Sequence, residues 1–487
     1  MFELHHLTAL EQGEWLHSGR ITPRELVEHY LRRIERLNPS IGALTVVDGD
    51  RALDRADALP RLAAMTAPLW GIPIADKELV RRAGQRTTFG SRLFADHVPT
   101  DDDDLVRHLD SAGAISLGAT AAPEFGLPSY TESLVAPAAR TPYDLTRGAG
   151  GSSGGAAAAV AAGLLAVAPG SDGGGSIRIP AAACGLVGLK PSRGRVPAGS
   201  GLEHLAGLVV AGPLARTVAD AALMLDALTT AVTWPFATRA PIDPPVASGA
   251  PHPHSGPLLG AAVRGEGRFQ LGVTTSSPWE ASVDLALDPE AQWALDEAVA
   301  GFGALGHGLE PVVLDPEPDY AQHFRAVWMA GASRIPARTP DELALLEPLT
   351  AWLVGQGRAL SAETLAEALV WLAGFERRII AQLSRFDAVL TPAVAMTPRP
   401  VGWYDATDAE RNFTQQVQYT PFTSFVNVAG LPALTLPVGL TPEGSKQPGL
   451  PMGVQLIGRP GGEATLLALG AQWERSRETA RIHPPQW

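Results

Sequence analysis

The stretch GGSSGGAAAAVAAGLLAVAPGSDGGGSIRIP, residues 150–180, is the most informative part of the chain. Two glycine-rich turns frame an alanine-rich segment, and serines lie in or beside both turns. Glycine costs backbone entropy on folding, so a fold keeps it where unusual dihedral angles or a close backbone approach are required. The turns are therefore either plain structural turns or sites of chemistry.

Two kinds of chemistry fit glycine-rich turns. Phosphate binding is one, because such turns before helices cradle anions. It is disfavoured here, since the chain has no GxxxxGK[ST] motif and no GxGxxG followed by an acidic ribose ligand. An oxyanion hole is the other, and losing one of its donors costs about 3 kcal/mol of transition-state stabilisation. Its donors would be the successive N–H groups of Gly173, Gly174, Gly175 and Ser176.

Composition excludes several classes of function. The 487 residues carry a formal net charge of −13, which argues against binding to nucleic acid or to an anionic membrane. The single cysteine, Cys184, permits no intramolecular disulfide. The twelve histidines show no HExxH spacing, so no metal site is predicted. No apolar run reaches the length of a membrane span and the first residues do not resemble a secretory signal, so a cytoplasmic location is expected.

Alternating strand-like and helical segments predict an α/β fold: a single large domain, residues 1–487, with a mixed β-sheet core covered by helices. Residues 154–169 are predicted to form a buried helix, and the run Asp101–Asp104 a solvated helix N-terminus. The Pro-rich residues 236–257 are interpreted as a surface excursion. The predicted strands lie near residues 71–74, 114–117, 271–274, 388–390, 433–436 and 454–457, and further helices near 22–38, 103–112, 289–305 and 361–385.

The glycine-rich region resembles the signature of the amidase signature family. The matching motifs are GGSSGG (150–155), SDGGGSIRIP (171–180) and CGLVGLKP (184–191). Upstream, GIPIADK (71–77) resembles the lysine strand of that family, and TTFGS (87–91) follows it. Residues 176–181 and 184–195 most resemble the corresponding motifs of 6-aminohexanoate-cyclic-dimer hydrolase-like members. The resemblance implies the fold of that family and hydrolysis of an amide bond.

The resemblance extends well beyond the signature. It covers residues 7–46, a core of about 60–220, and a second core part of about 385–475, including residues 421–439 and 450–458. The weakly matching region of about 230–385 is expected to form a variable, substrate-side part of the same domain.

Carried over residue by residue, the resemblance implies a triad. Ser176 would be the acylated nucleophile, Ser152 a proton relay that follows a cis peptide bond, and Lys77 the general base. Glycines 173–175 would supply the oxyanion hole. Supporting roles are implied for three further residues, namely Ser153, Asp172 and Arg178.

Lys77 can act as a base near neutral pH only if its pKa falls far below the reference value of about 10.4. Apolar residues 71–75 before Lys77 and the alanine-rich segment after Ser152 are consistent with a dry pocket. Asp76 stands where the family has an apolar residue. Because successive strand residues point to opposite faces, we expect Asp76 to face away from Lys77.

Two other departures concern the site. Gly173 replaces a common Thr or Ile, which predicts a looser oxyanion loop. Ala122 stands where the family often has Asn, in an element expected to border the substrate pocket. Aromatic residues on a helix predicted near 320–372 are interpreted mainly as core, with some lining the pocket: Phe324, Trp328, Trp352 and Trp371.

The leading hypothesis is an amidase that cleaves a linear or cyclic carboxylic amide other than a peptide bond, with activity extending to small esters or carbamates. The expected partner is a small-molecule amide, no cofactor is expected, and assembly as a homodimer is left open. An alternative is the amidase subunit of a glutamyl-tRNA amidotransferase, disfavoured because Ile179 replaces a common Gln. Another is a non-catalytic binding protein on the same fold, disfavoured by the intact triad.

Overall fold

The computed structural model describes residues 3–196, 204–230, 256–477 and 482–487. The predicted surface excursion at 236–257 lies almost entirely outside these residues. The strands in the described part of the chain are β1 Leu44–Val47, β2 Pro73–Lys77, β3 Ile115–Thr120, β4 Val167–Asp172, β5 Val187–Lys190, β6 Val210–Ala215, β7 Gln270–Val273, β8 Gly308–Pro311, β9 Ala388–Pro392, β10 Ala433–Leu440 and β11 Pro451–Gly458.

Helices flank these strands throughout. The α-helices in the described residues are α1 Ala9–Ser18, α2 Pro23–Ile41, α3 Gly49–Ala58, α4 Asp104–Ser111, α5 Gly154–Ala161, α6 Arg178–Ala183, α7 Val218–Thr230, α8 Pro257–Arg264, α9 Pro289–Ala304, α10 Tyr320–Ala332, α11 Pro340–Ala344, α12 Pro348–Ala359, α13 Ala362–Leu383, α14 Ala409–Tyr419, α15 Ser424–Val428 and α16 Glu463–Arg477.

Eight strands form a mixed sheet in the order β4-β6-β5-β10-β11-β9-β7-β8. The pairs from β4 to β9 are antiparallel, whereas β7 pairs in parallel with both β9 and β8. This confirms the predicted α/β class with a mixed sheet covered by helices.

A second, three-stranded sheet has the order β1-β3-β2, with β2 parallel and β1 antiparallel to β3. It carries Lys77 at the end of β2, so the predicted lysine lies outside the large sheet.

Alternation along β10 shows how the large sheet is covered on both faces. Leu434 and Leu436 lie under Gly470 of α16, which has no room for a side chain there. The intervening Thr435 contacts α6 instead, where its hydroxyl donates to the Arg178 carbonyl at 3.4 Å. Because neighbouring strand residues face opposite ways, α16 and α6 lie on opposite faces of the sheet. The α6 face carries the glycine-rich turns.

The predicted helix at 154–169 is only partly correct. Helix α5 ends at Ala161, and Val167 already belongs to strand β4. Gly163 adopts a φ of 65°, a left-handed conformation that stops the helix. Both segments are fully buried, so their apolar composition gave no periodicity to separate helix from strand.

The single helix predicted near 320–372 is wrong, since that range contains α10, α11, α12 and the first half of α13, whereas the other predicted elements agree with the structure within a few residues. Thr22 caps α2 with a capping box, although the helix continues past Asn38 to Ile41 and ends at Gly42 in the left-handed region. Helix α4 begins at Asp104, so the acidic run lies at a helix N-terminus as predicted. Among the described residues, no helix combines the length and apolar character needed to cross a membrane.

Candidate active site

Lys77 is buried at the end of β2 with its ammonium group pointing toward two serines. Its Nζ lies 2.9 Å from Ser152 Oγ and 3.0 Å from Ser171 Oγ, and 3.3 Å from the Ser171 carbonyl oxygen. Burial lowers the pKa of Lys77 to about 7, while the Asp172 carboxylate acts in the opposite direction. A lysine in this state is neutral in a large fraction of molecules near pH 7 and can accept a proton from a serine.

Asp76 does not contact this ammonium group. Its carboxylate accepts hydrogen bonds from Arg82 Nε and Ser116 Oγ, both at 2.7 Å. The prediction that Asp76 faces away from Lys77 is confirmed, since alternate residues of β2 point to opposite faces. The Asp76 charge is therefore compensated by Arg82 at a separate place in the molecule.

Ser152 lies at the first glycine-rich turn, and the Gly151–Ser152 peptide bond is cis, as the family resemblance implied. The next residue ties this turn to the second one. The Ser153 N–H donates to the Ser176 carbonyl at 3.1 Å, and the Ser153 hydroxyl lies 3.3 Å from both the carbonyl and the amide of Ser171. Both turns are thus held in one unit.

The second turn is built on a buried ion pair at the end of β4. Asp172 and Arg178 are fully buried and form two 2.9 Å hydrogen bonds. Burial raises the pKa of Asp172, but the Arg178 guanidinium outweighs burial and holds that pKa well below its usual range. Arg178 also donates to three acceptors from the C-terminal part of the chain, namely the Thr423 carbonyl, Gln455 Oε1 and Asn427 Oδ1.

Asp172 also engages the turn itself, which changes the predicted oxyanion hole. The Gly175 N–H donates to Asp172 Oδ1 at 2.7 Å and is directed at that carboxylate. Gly175 therefore leaves the set of oxyanion donors, and the N–H groups of Gly173, Gly174 and Ser176 remain the candidates. Gly175 has φ of 133°, and an added Cβ would lie 2.5 Å from Thr423 Oγ1, so only glycine fits.

Ser176 lies where two cavities meet, with 8% of its surface exposed. A large cavity of about 940 Å³ is also lined by Ser152, Ser171 and Gly173. A small cavity of about 60 Å³ is lined by Gly174 and by aromatic side chains. Trp328 lines both cavities. The nucleophile and relay candidates thus line one cavity, and the buried base candidate Lys77 contacts Ser152 from behind.

The predicted pocket walls are partly correct. Phe324 and Trp328 line the cavities, whereas Trp352 and Trp371 pack among the helices next to them. Residues 125–129 line the cavities, but Ala122, only 2% exposed, is not among the described residues that do.

Ser171 is the residue that sequence reasoning missed. It contacts Lys77 through both its hydroxyl and its carbonyl, and it lines the large cavity. Its place next to Asp172 in the signature was visible, but nothing in the sequence indicated that it faces a lysine 94 positions earlier.

One group of metal-ligand types lies away from this site. Side-chain atoms of Glu3, His5 and His29 lie within 4.8 Å of one another. Arg33 lies 3.7 Å from the Glu3 carboxylate, and a guanidinium there opposes a cation. We assign no metal to it.

Comparisons with known proteins give the family. The family model for amidases matches residues 25–467, most of the chain. The chain belongs to the amidase family. It is 39% identical over 484 residues to the putative amidase AmiB2 of Mycobacterium tuberculosis, covering 98% of this chain and 97% of that protein.

Two further relatives have names that refer to different activities. The structure of 6-aminohexanoate cyclic dimer hydrolase with its substrate matches with a TM-score of 0.85 and 28% identity, over 99% of this chain and all of that one. One of the subunits of the glutamyl-tRNA(Gln) amidotransferase of Hahella chejuensis is 33% identical, with 96% and 97% of the two chains covered. The protein is an amidase, a hydrolase that acts on amide C–N bonds.

Proposed function

We propose that this amidase hydrolyses a small-molecule carboxylic amide through a covalent acyl-enzyme on Ser176, with Ser152 as proton relay and Lys77 as general base. One observation carries the proposal: the buried Lys77 Nζ lies 2.9 Å from Ser152 Oγ, at a cavity that also exposes Ser176. A serine hydroxyl is a weak nucleophile until a base removes its proton. A lysine whose pKa is lowered to about 7 by burial supplies that base at neutral pH.

Acylation begins when Ser176 Oγ attacks the carbonyl carbon. The Ser176 proton passes to Ser152, and the Ser152 proton passes to neutral Lys77. Collapse of the tetrahedral intermediate breaks the C–N bond, and the departing nitrogen takes a proton back along the same path. An ester on Ser176 and a free amine result. Water, deprotonated by the same relay, then attacks the ester and releases the carboxylic acid and Ser176.

The developing oxyanion is assigned to the N–H groups of Gly173, Gly174 and Ser176. Preorganised donors of this kind stabilise a transition state because they need no reorientation during the reaction. The Asp172–Arg178 pair supports this role, since its hydrogen bonds fix the backbone of the turn that carries these N–H groups. Activity on small esters and carbamates follows from the same steps with a different leaving group.

A second candidate function is release of ammonia from glutamine, favoured by the 33% identity to one of the subunits of a glutamyl-tRNA(Gln) amidotransferase. It would use the same three residues. The two functions can be distinguished experimentally, because the second requires glutamine as substrate and also requires partner subunits.

The experiment is hydrolysis of a panel of aliphatic, aryl and cyclic amides, esters, carbamates and glutamine. We expect turnover of at least one non-glutamine amide and none by Ser176→Ala. Lys77→Ala should lose about 100-fold or more at pH 7 while remaining folded. Lys446→Ala, which removes an exposed lysine, is the matched control and should retain wild-type rates. Wild-type turnover by Lys77→Ala would contradict the mechanism, and turnover of glutamine alone would favour the second function.

A further inference from the structure

The two cavities that meet at Ser176 differ in size and chemistry. The small cavity has a volume of about 60 Å³ and the large one about 940 Å³. A water-sized group needs roughly 10–15 Å³ on this scale, so the small cavity has room for only a few non-hydrogen atoms. The substrate therefore meets two unequal compartments on either side of the nucleophile.

Aromatic side chains form the wall of the small compartment. Phe324 and Trp328 extend from α10 and stack with their ring centroids 5.6 Å apart. Trp279 packs edge-on against Phe324 at 5.4 Å, and Phe413 of α14 completes the wall. Among the described residues that line this compartment, none carries a charge.

Three polar side chains of the small compartment, those of Gln416, Thr420 and Ser424, already have partners within the protein, and Ser129 adds one further hydroxyl to the wall. Ser424 Oγ accepts from Trp279 Nε1 and lies 2.9 Å from Tyr320 Oη. Gln416 accepts from the Ser129 N–H and donates to Asn412 Oδ1, at 2.7 and 2.8 Å. A substrate group that needs hydrogen bonds or a counter-charge would lose its water without replacement, which is costly. The compartment suits an uncharged, apolar group.

Trp328 lines both compartments and forms the boundary between them. Its indole lies against the oxyanion loop, where Gly173 and Gly174 have no side chains. A Cβ on Gly173 would lie 3.6 Å from the Trp328 ring and 2.9 Å from Val209, and one on Gly174 would lie 4.0 Å from Trp328. The indole and Val209 thus occupy the space of the Thr or Ile that the family often has at position 173. Side chains from other parts of the chain therefore pack against the loop in place of a side chain of its own.

The path of the proton determines which end of the substrate lies in each compartment. The leaving nitrogen must receive its proton through Ser152, which lines the large compartment, as does Ser171. Ser152 is not among the described residues that line the small compartment. The amine side of the scissile bond therefore lies in the large compartment. Because the carbonyl carbon is bound at Ser176 between the two, the acyl substituent points into the small one.

We infer that the preferred substrates are amides of a compact, uncharged apolar acid, that the amine can be larger than the acid, and that Trp328 sets the limit on acyl size. The inference rests on the proposed function, because it takes Ser152 as the proton donor to the amine. It adds the substrate class and a specificity-determining residue.

The test measures kcat/KM for 4-nitroanilides of acetic, butyric, hexanoic and octanoic acid, with the amine held constant. We expect a fall of about tenfold or more between butyryl and octanoyl, since extra methylenes that do not fit are rejected by such factors. The succinyl anilide, which places a carboxylate in the compartment, should be poorer than the butyryl one by a similar factor. Acetamides of aniline and 2-naphthylamine should differ by less than about threefold, because the amine side has room.

Trp328→Ala should merge the compartments and raise the octanoyl-to-butyryl ratio by about tenfold. Trp328→Leu, a smaller change, should raise it in the same direction and covers the case in which the alanine variant does not fold. Trp371→Ala is the matched control, because that indole stacks on His323 and Phe375 and lines neither cavity. It should keep the wild-type ratio.

Labelling of Ser176 by a fluorophosphonate separates the two levels of the proposal. Labelled enzyme that prefers octanoyl or succinyl anilides, or Trp328 variants with an unchanged ratio, would overturn the inference and leave the proposed function standing. Enzyme that hydrolyses none of the amides and does not label at Ser176 would overturn both.

Discussion

Burial determines the chemical state of Lys77, but burial alone does not make a base. Lys190 is equally buried, and its pKa is also lowered to about 7 by burial and by Arg178. Its Nζ donates to the carbonyls of Pro191 and Leu431, and it is not among the described residues that line either cavity. What distinguishes Lys77 is its contact with two serines that face the cavity.

Ser171 is expected to position Lys77 rather than to react. Removing its hydroxyl in Ser171→Ala leaves Nζ with one fewer partner at about 3 Å, so the ammonium should be aimed less well at Ser152. We expect kcat to fall by about tenfold with KM nearly unchanged, and Ser171→Thr to restore most of it. Steady-state kinetics across pH checks this. A change in KM alone, or no rescue by threonine, would contradict the positioning role.

The oxyanion loop should tolerate a methyl group at one glycine and not at its neighbour. Gly174→Ala keeps its N–H and meets nothing closer than 4.0 Å, so we expect less than about a tenfold loss of kcat/KM. Gly175→Ala places Cβ 2.5 Å from Thr423 Oγ1 in a left-handed conformation, and should lose about 100-fold or more. Equal activities of the two variants would contradict the account of the loop.

At the scale of elements, β4, the glycine turn and α6 form a unit held by one buried ion pair. Removing one partner of such a pair leaves a charge without compensation, at a cost of about 3–5 kcal/mol. We therefore expect Arg178→Met to lower the thermal unfolding midpoint by several degrees. Arg107→Met breaks the exposed pair with Asp104 and is the control, expected to shift the midpoint little. Similar shifts in both variants would argue against the ion pair as the main support.

Sequence patterns predicted elements well where one face is buried and the other exposed. Helices α2 and α13 were both predicted within about three residues of their observed bounds. Strand β4 was missed because Val167 and its neighbours are buried on every side, so no alternation marks them. The partners of Arg178 could not be predicted either, because Asn427 and Gln455 are about 250 or more positions away in the chain.

At the scale of the whole molecule, the site is assembled from two sheets. Lys77 ends a strand of the small sheet, while Ser171 and Asp172 end an edge strand of the large one. Helix α5 leads from Ser152 back into that strand and packs against both sheets. Gly155 of this helix lies so close to Ala43 and Ala121 that a Cβ would be within 2.6 Å of their backbones. Close packing of α5 is what brings the two sheets within reach of each other.

This arrangement explains what the sequence could and could not predict about the site. Lys77 and Ser152 are 75 positions apart, and no local pattern states that they touch. Family resemblance predicted the pair, and the contact with Ser171 and the loss of Gly175 as a donor emerged only from the packing. The aromatic compartment, formed by α10, α14 and the Trp279 loop, depends equally on long-range contacts.

The most direct test of the central claim is the rate at which a fluorophosphonate labels Ser176 as a function of pH, with the modified peptide identified by mass spectrometry. Only neutral Lys77 can accept the proton, so the wild-type rate should fall about tenfold per pH unit below the Lys77 pKa of about 7 and level off above it. Lys77→Ala and Ser152→Ala should label at least about 100-fold more slowly at pH 8, and Lys77→Ala should lose the pH dependence. Modification at a residue other than Ser176, or a wild-type rate that is flat from about pH 5 to 8 and matched by Lys77→Ala, would contradict the account.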